Sequence, residues 1–504
     1  MQAGVAFAQS KKVNTLKIYK QAEERYNAGD YRKAIGFYKQ LYDIDSTDKE
    51  ANYKLGVCYY EVKEYRKISL KHFIKAKGYD NNELHYYLAV SYHALGNYDK
   101  ALENLYAYQT ANDEKIHSYQ EINDQIAKCL YAKYAETHPQ PDIRIEHLGD
   151  SINSEYTEYA PIIPADESFL VFTSKRKGCI GEKNSAGDYS EDVFISKNKN
   201  NQWSAPKSIS QNINTTGNDA CTGLSADGQK IIIYRSNDTL INGSFYTSMY
   251  NGSDWSIPVL LDAEINSKDH IETSACYSPD GETIFFSSDR PGGFGGKDIY
   301  MSKKLPNGKW GKPYNLGPNI NTVYNEDAPF VHPKTNILFF SSQGHINNMG
   351  GYDIFQSEYN TETGKFLGAE SIGYPINTRG DDIFFVLNAN STTGYFSSER
   401  EGGIGRSDIY TATFLSESSN YVVINCTLQD ENGSPIPKVQ LELVDVRDKT
   451  TTAYKTNEIT GKFILIIEPK RKYEIHISTA GFKSYNENFI YENGALDKKI
   501  ILKK

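Results

Sequence analysis

The chain is poor in the residues that build metal, redox and nucleic-acid sites. It has six cysteines, four methionines and three tryptophans among 504 residues, and no two cysteines form a CxxC pair. Zinc and redox motifs are therefore unsupported, and small buried cysteines are expected. Acidic residues (64) outnumber basic ones (55), which argues against binding to nucleic-acid phosphates. No apolar run approaches the roughly 18 residues that a membrane-spanning helix needs.

The first residues have the form of a processed export signal. Ala6-Phe7-Ala8, followed by Gln9, has the small-x-small pattern of a secretory cleavage site. We expect residues 1–9 to be the remnant of a signal peptide and the protein to be exported. A charged start and a full apolar stretch are lacking, so a meaningless apolar beginning is the alternative.

Residues 12–136 show a helical repeat. Tyr31, Tyr65 and Tyr98 recur at intervals of 34 and 33 residues, and Leu55-Gly56 is matched by Leu88-Ala89. A period near 34, with small residues where helices cross, is typical of tetratricopeptide (TPR) repeats. Each helix pair leaves an apolar face that its neighbour covers, so we predict an all-α solenoid of about three repeats. A plain helical bundle is the alternative.

Residues 142–414 contain five copies of one β unit. The best-preserved copy, 272–321, has the turn Ser278-Pro279-Asp280-Gly281, a strand, a Gly-rich loop and the triplet Asp298-Ile299-Tyr300. Short strands repeating about every 50 residues predict the blades of an all-β propeller. Residues 143–153 match the segment that the fifth copy lacks, so we expect this strand to complete the last of five blades. A sixth, degenerate blade is the alternative.

Two sets of charged residues recur in these copies. The first set predicts ion pairs that hold the Gly-rich loops, namely Arg176 with Asp192, Arg290 with Asp298, and Arg400 with Asp408. In the second copy, Asn237 and Ser244 stand at those places. The second set places an acid before each first strand: Glu158, Asp219, Glu272, Glu326 and Asp381. If the first strands line the central channel of the propeller, we expect these five carboxylates to form a ring that binds a divalent cation. The alternative is that each acid caps backbone amides of the neighbouring blade.

Residues 421–504 predict a third, smaller all-β domain. Alternating strands such as Gln440-Leu441-Glu442-Leu443-Val444 are separated by turns such as Asp430-Glu431-Asn432-Gly433. Several short strands with this punctuation are typical of a β-sandwich. The arrangement resembles the transthyretin-like regulatory domain appended to carboxypeptidases, a resemblance that implies no catalytic residues.

The order of the three regions resembles one group of exported proteins. A TPR array, blades with Ser287-Ser288-Asp289-Arg290-Pro291-Gly292-Gly293 and the carboxypeptidase-regulatory-like sandwich together resemble OmpA-family multidomain proteins of Bacteroidota, including the PorE-like component of the type IX secretion system. The resemblance implies a protein of the periplasm that is associated with the outer membrane. Relatives hold peptidoglycan through a C-terminal OmpA-like domain, which is expected to be absent here, and no lipobox cysteine stands near Ala8-Gln9.

We therefore predict a non-enzymatic scaffold that binds other envelope or secretion-system proteins, without a cofactor, nucleic acid or membrane span. The predicted partner contacts lie on the helical repeats: Tyr53, Lys54, Tyr60 and Tyr87. A propeller-based glycosidase or lyase is the alternative, and so is a protein that binds glycans or peptidoglycan fragments. An enzyme needs two carboxylates, or a base and a nucleophile, in one pocket, whereas repeated acids give no asymmetry of roles.

Overall fold

Two compact units make up the chain, Met1–Thr137 and His138–Lys504. The computed structural model describes residues 2–62, 65–111, 116–183, 187–200, 202–236, 243–416, 421–492 and 497–504, with side chains from residue 14 onward. The first unit is helical and the second consists of β-sheets, as predicted. Almost all neighbouring strands are antiparallel, and β-strands at 422–430 and 497–502 are a parallel pair. Within these ranges no helix is long and apolar enough to cross a bilayer.

The first unit is a series of helices. In the described ranges they are α1 (Gln2–Asn27), α2 (Tyr31–Ile44), α3 (Lys49–Glu61), α4 (Arg66–Lys75), α5 (Glu83–Ala94), α6 (Tyr98–Thr110) and α7 (Tyr119–Thr137). Residues 2–9, predicted to be a signal remnant, belong to α1. Asp48 begins α3 as its N-cap, accepting a hydrogen bond from the backbone N–H of Ala51 at 3.0 Å.

Small residues in this unit lie where helices cross. Ala34 and Ala101 are fully buried, and a Cβ atom added to Gly56 of α3 would lie 2.6 Å from Cε1 of Phe73 on α4. The repeat therefore has Gly or Ala at these positions, because the partner helix occupies the space that a larger side chain would need.

The second unit begins with five sheets in the described residues, each formed by a repeated copy. The strands are β1 (Ile143–His147), β2 (Glu158–Ile162), β3 (Phe169–Ser174), β4 (Asp192–Lys199), β5 (Gln202–Trp203), β6 (Lys207–Ser208), β7 (Asn218–Leu224), β8 (Lys230–Ser236), β9 (Ser244–Met249), β10 (Val259–Leu260), β11 (Glu272–Tyr277), β12 (Thr283–Ser288), β13 (Asp298–Lys303), β14 (Tyr314–Asn315), β15 (Glu326–Val331), β16 (Ile337–Ser342), β17 (Asp353–Asn360), β18 (Lys365–Phe366), β19 (Glu370–Ser371), β20 (Asp382–Leu387), β21 (Thr393–Ser398) and β22 (Asp408–Phe414).

The first strands of these sheets contact one another in a circle. The order is β2, β7, β11, β15 and β20, and β20 in turn contacts β2. The last sheet has the order β1-β22-β21-β20, so the first strand of the unit supplies its outer edge. Ile143 pairs with Phe414 and His147 with Tyr410, which is the pairing predicted for residues 143–153. This pairing joins the two ends of the circle through backbone hydrogen bonds.

An asparagine at the end of each copy fastens the chain to the third strand of the sheet. Asn321 Oδ1 accepts a hydrogen bond from Ile299 N at 2.7 Å, and Asn321 Nδ2 donates one to Ile299 O at 3.0 Å. Equivalent pairs of bonds are made by Asn153 with Ile409, Asn214 with Val193, Asn266 with Phe245, and Asn377 with Ile354. A buried amide side chain thus replaces one rung of a β-ladder and closes each copy.

Two further sheets follow and share one core. Their strands are β23 (Val422–Asp430), β24 (Gln440–Asp445), β25 (Thr450–Lys455), β26 (Lys462–Ile467), β27 (Lys472–Ile477), β28 (Tyr485–Ile490) and β29 (Asp497–Leu502). The sheet orders are β26-β23-β29 and β25-β24-β27-β28. Leu428, Leu465 and Ile475, from both sheets, are fully buried in a common cluster. Residues 417–420, which precede β23, lie outside the described residues.

These C-terminal sheets pack on one end of the circle of five sheets. We call it the turn end, because it consists of the turns between first and second strands, at 163–168, 225–229, 278–282, 332–336 and 388–392. Ala165 and Ala389 are buried with Ile464 and Ile466 of β26, and Lys455 forms an ion pair with Glu282 at 3.6 Å. The opposite end, the loop end, carries the loops between second and third strands, since each second strand runs away from its turn.

Candidate functional site

The four predicted partner contacts lie on the first helices of neighbouring pairs. Tyr53, Lys54 and Tyr60 belong to α3, and Tyr87 belongs to α5. The rings of Tyr60 and Tyr87 meet edge to face with centroids 5.4 Å apart. Tyr53 does not fit the prediction: it is only 5% exposed and belongs to the core, because its ring is enclosed by Phe73, Tyr79 and Tyr87. Tyr53 therefore supports the ring of Tyr87 from within the core.

Lys54 is bound within the chain. Its Nζ atom lies 3.2 Å from Oε2 of Glu23 and 4.2 Å from the centre of the Tyr26 ring, both on α1. The ion pair and the cation–π contact hold α1 against α3. Lys54 therefore links two helix pairs, and its charge is largely compensated before any partner approaches.

The partly exposed aromatic surface is longer than the sequence predicted. Tyr87 contacts Tyr86 at 5.7 Å, and Tyr86 stacks on His117 at 3.6 Å. We name Tyr26, Tyr60, Tyr86 and Tyr87 the tyrosine surface; it extends over α1, α3 and α5. Burial raises the pKa of Tyr87, so its hydroxyl stays protonated, and that hydroxyl lies 3.4 Å from Oε1 of Glu61. Such side chains offer a flat apolar face together with a polar edge.

The predicted acidic ring is a set of separate, buried carboxylates. Glu272 illustrates it: the carboxylate accepts hydrogen bonds from Ser267 N at 3.1 Å and Ser288 Oγ at 2.9 Å. Glu158, Asp219 and Glu326 make the corresponding bonds to a backbone amide and a hydroxyl of the segment just before their own strands. Each acid therefore holds the connection that precedes its own strand. In the part of the chain described here, no three His, Cys, Asp or Glu side chains lie as metal ligands would.

The fifth acid was assigned one residue too early. Asp382, fully buried, accepts bonds from Thr378 N at 2.6 Å and Ser398 Oγ at 2.5 Å, as Glu158, Glu272 and Glu326 do from the equivalent groups. Asp381 instead accepts a bond from Tyr352 N of the preceding sheet at 2.9 Å. Adjacent strand residues point to opposite faces, so the two aspartates have different partners.

The arginines pair with these acids and not with the Asp of the Asp-Ile-Tyr triplets. Arg290 lies 2.9 Å from Glu272 and donates to Ile265 O at 2.8 Å, whereas Asp298 accepts a bond from Phe294 N. Arg176 and Arg400 pair in the same way with Glu158 and Asp382. The predicted pairs with Asp192, Asp298 and Asp408 are therefore wrong, because these aspartates cap backbone amides of the Gly-rich loops.

The second and fourth sheets vary this arrangement. In the second, Arg235 pairs with Asp219, so the sheet keeps an ion pair that the sequence did not reveal; Asn237 lies outside the described residues. In the fourth, His345 takes the place of the arginine, and its Nε2 donates a hydrogen bond to Ile320 O at 2.8 Å. No Lys or Arg of the described ranges lies within ion-pair distance of Glu326. Burial raises the pKa of Glu326 from 4.5 to about 7.

Comparison with known proteins finds similarity to solved structures. No protein-family model and no curated protein matches the chain. Among solved structures, the chain is similar to YrrB, a TPR protein with an unusual peptide-binding site, at 26% identity over 25% of this chain and 65% of that one, with a TM-score of 0.21.

Two further solved structures are also similar to this chain. One is a β-xylosidase/α-arabinofuranosidase from a compost microbial metagenome, at 9% identity over 58% of this chain and 96% of that one, with a TM-score of 0.35. The other is the β-propeller domain of the Trilobed protease from Pyrococcus furiosus, at 10% identity over 68% and 85% of the two chains, with a TM-score of 0.24. The structural relatives thus include TPR proteins and β-propellers.

Proposed function

We propose that this protein is a non-enzymatic adaptor whose N-terminal helical unit binds a peptide segment of another protein. One observation supports it most: the tyrosine surface extends over the first helices of three successive pairs. The rings of Tyr60, Tyr87 and Tyr86 are in contact, and Lys54 of α3 lies over the ring of Tyr26. An extended peptide contacts several repeats at once, and rigid tyrosines lose little side-chain entropy when they bind.

We further propose that the helices form a TPR solenoid, that the five sheets are the blades of a five-bladed propeller, and that the C-terminal sheets are a transthyretin-like sandwich. The circle of first strands and the β1–β22 pairing support the propeller. The core shared by two sheets supports the sandwich. In this architecture the propeller and sandwich are a rigid support, since asparagines and buried ion pairs fix each copy internally.

The proposed location is the periplasm, in association with the outer membrane, and the proposed partners are envelope or type IX secretion proteins. This part rests on the resemblance of the domain order to OmpA-family proteins. Peptidoglycan would be held only through a further domain of such relatives. Fractionation of the host cell into cytoplasm and envelope tests the location. Recovery of the protein in the cytoplasmic fraction contradicts it.

Photo-crosslinking in the host cell tests the binding surface. A benzoylphenylalanine in place of Tyr87 is expected to give discrete adducts with another protein. The matched control is the same replacement of Tyr106, an exposed tyrosine on α6, outside the tyrosine surface. Equal adducts at both positions, or none at position 87, would contradict the proposal.

A further inference from the structure

An exposed apolar patch lies on the loop end of the second unit. Phe294, Val323 and Ile346 are 48%, 68% and 85% exposed, and they come from the loop of the third sheet, the connection to the fourth sheet and the loop of the fourth sheet. Large apolar side chains are seldom left this open in a group unless another molecule covers them. We call these three residues the loop-end patch.

The three side chains are held on one short connection. Gly296 N donates to Tyr324 O at 2.9 Å, which ties the loop of Phe294 to the segment that carries Val323. His345 Nε2 lies 2.8 Å from Ile320 O, which ties the loop of Ile346 to the same segment. A Cβ atom on Gly295 would lie 2.4 Å from the backbone carbon of Val323, so the two segments are in direct contact. The patch is therefore preorganised, and binding costs little ordering entropy.

The three segments that carry the patch contain no charged residue. None of the residues in 291–296, 320–325 and 343–351 is Asp, Glu, Lys or Arg, although 24% of the whole chain is charged. Of the charged residues beside these segments, Arg290 pairs with Glu272, Lys297 with Asp327, and Arg379 with Glu401. Glu326, which follows the second segment, is fully buried. Burial lowers the pKa of His345, which keeps that ring neutral. By contrast, the equivalent loop of the fifth sheet contains Glu399, Arg400, Glu401 and Arg406.

Size and charge together specify the occupant. Three side chains offer far less than the roughly 800 Å² per partner of a standard stable interface, so the patch does not suffice for a dimer of this chain. A charged segment would lose hydration here, and the three segments of the patch offer it no opposite charge. We propose that the loop-end patch binds a short, uncharged segment of a partner protein through its aliphatic or aromatic side chains. This surface is separate from the tyrosine surface of the first unit.

Selection of a displayed library of 12-residue peptides on the full chain tests the proposal. We expect enriched peptides to be apolar and without net charge, and one synthetic member to serve as the probe in fluorescence polarisation. Its Kd should rise at least tenfold for V323S/I346S and change less than twofold for the matched control I257S/L260S, whose residues are 74% and 53% exposed on the outer edge of the second sheet. The Kd should also be unchanged within twofold between 50 and 500 mM NaCl.

Four results would overturn the assignment. These are enrichment of charged peptides with salt-sensitive binding, equal loss in both double variants, binding that responds only to Tyr87→Ala, and a dimer of the wild-type chain that V323S/I346S dissociates in sedimentation. Because all four mutated side chains are exposed, we expect both double variants to keep the wild-type urea midpoint in tryptophan fluorescence. An unchanged midpoint shows that a weaker affinity does not come from unfolding.

Discussion

Replacing Glu326 by glutamine should stabilise the protein at alkaline pH, although it removes a charge that four related sheets keep. Glu326 is fully buried and accepts bonds from Thr322 N at 2.8 Å, Thr322 Oγ1 at 2.7 Å and Ser342 Oγ at 2.7 Å. These bonds do not compensate the lost hydration of the carboxylate, so burial, with a smaller effect of the Asp298 charge, raises its pKa to about 7.

The sign of the pH dependence follows from this pKa. Between pH 4.5 and about 7 the folded protein holds a proton on Glu326 that the unfolded chain has released. The associated stability is fully present below pH 4.5, is lost as the pH rises through 7, and is constant above that. The difference between a pKa of 4.5 and one of about 7 corresponds to about 3 kcal/mol at most. Glutamine carries no charge and so avoids this loss. Its NH2 group cannot accept a hydrogen bond as the second carboxylate oxygen does, so one hydrogen bond is lost, which costs about 1 kcal/mol.

We therefore expect Glu326→Gln to raise the free energy of unfolding by about 2 kcal/mol at pH 8 and to lower it slightly at pH 4.5. Urea unfolding followed by tryptophan fluorescence measures it, because Trp203, Trp255 and Trp310 all belong to the five sheets. Glu272→Gln is the control: it leaves the Arg290 guanidinium without its partner 2.9 Å away, so we expect a loss of about 3 kcal/mol at pH 8. Equal destabilisation by both substitutions, or a pH-independent effect of Glu326→Gln, would refute the reasoning.

Three further predictions concern packing, the asparagines and metal. Gly56→Ala should lower the helical melting temperature in far-UV circular dichroism by the equivalent of about 1–3 kcal/mol, since its Cβ meets Phe73, whereas Gly36→Ala on α2 has nothing within 4 Å and should raise it; a rise for both would contradict the packing. Asn321→Ala removes two buried hydrogen bonds to Ile299 and should lower the free energy of unfolding in urea by about 2–4 kcal/mol. The control Asn307→Ala, in an exposed turn, should leave the free energy of unfolding unchanged. Calcium or chelator should leave the melting temperature of the full chain unchanged, because the carboxylate oxygens already accept hydrogen bonds from the protein in all five acids, Glu158, Asp219, Glu272, Glu326 and Asp382. A shift in melting temperature larger than the scatter of replicates would support a bound divalent cation and contradict this prediction.

The choice between Asp381 and Asp382 shows where prediction from the sequence ended. Both are acids before the same strand, and the repeat spacing varies by a few residues between copies, so the pattern alone does not choose between them. A shift of one residue turns the side chain to the other face of the strand. Only the register, with Asp382 opposite Ser398, shows which aspartate enters the sheet.

The tyrosines show a second limit. Tyr53, Tyr60 and Tyr87 were predicted as one surface, and two of them are partly exposed and in contact. Tyr53 is buried because three aromatic rings from α4, α5 and the turn between them surround it. Helical periodicity predicts which side of a helix faces its neighbours, but not how deeply a ring lies between two of them.

The sequence by itself determined the features that repeat. The period near 34 residues, the recurring acid and the closing strand at residues 143–153 follow from local hydrogen bonding and alternation, which need few residues to specify. Tertiary structure alone decided the contacts between distant segments: the partner of each arginine, the burial of Tyr53, and the meeting of Phe294, Val323 and Ile346. The physical reason is that such contacts depend on where loops of unequal length return, and that is fixed by the packing of whole sheets and not by any one segment.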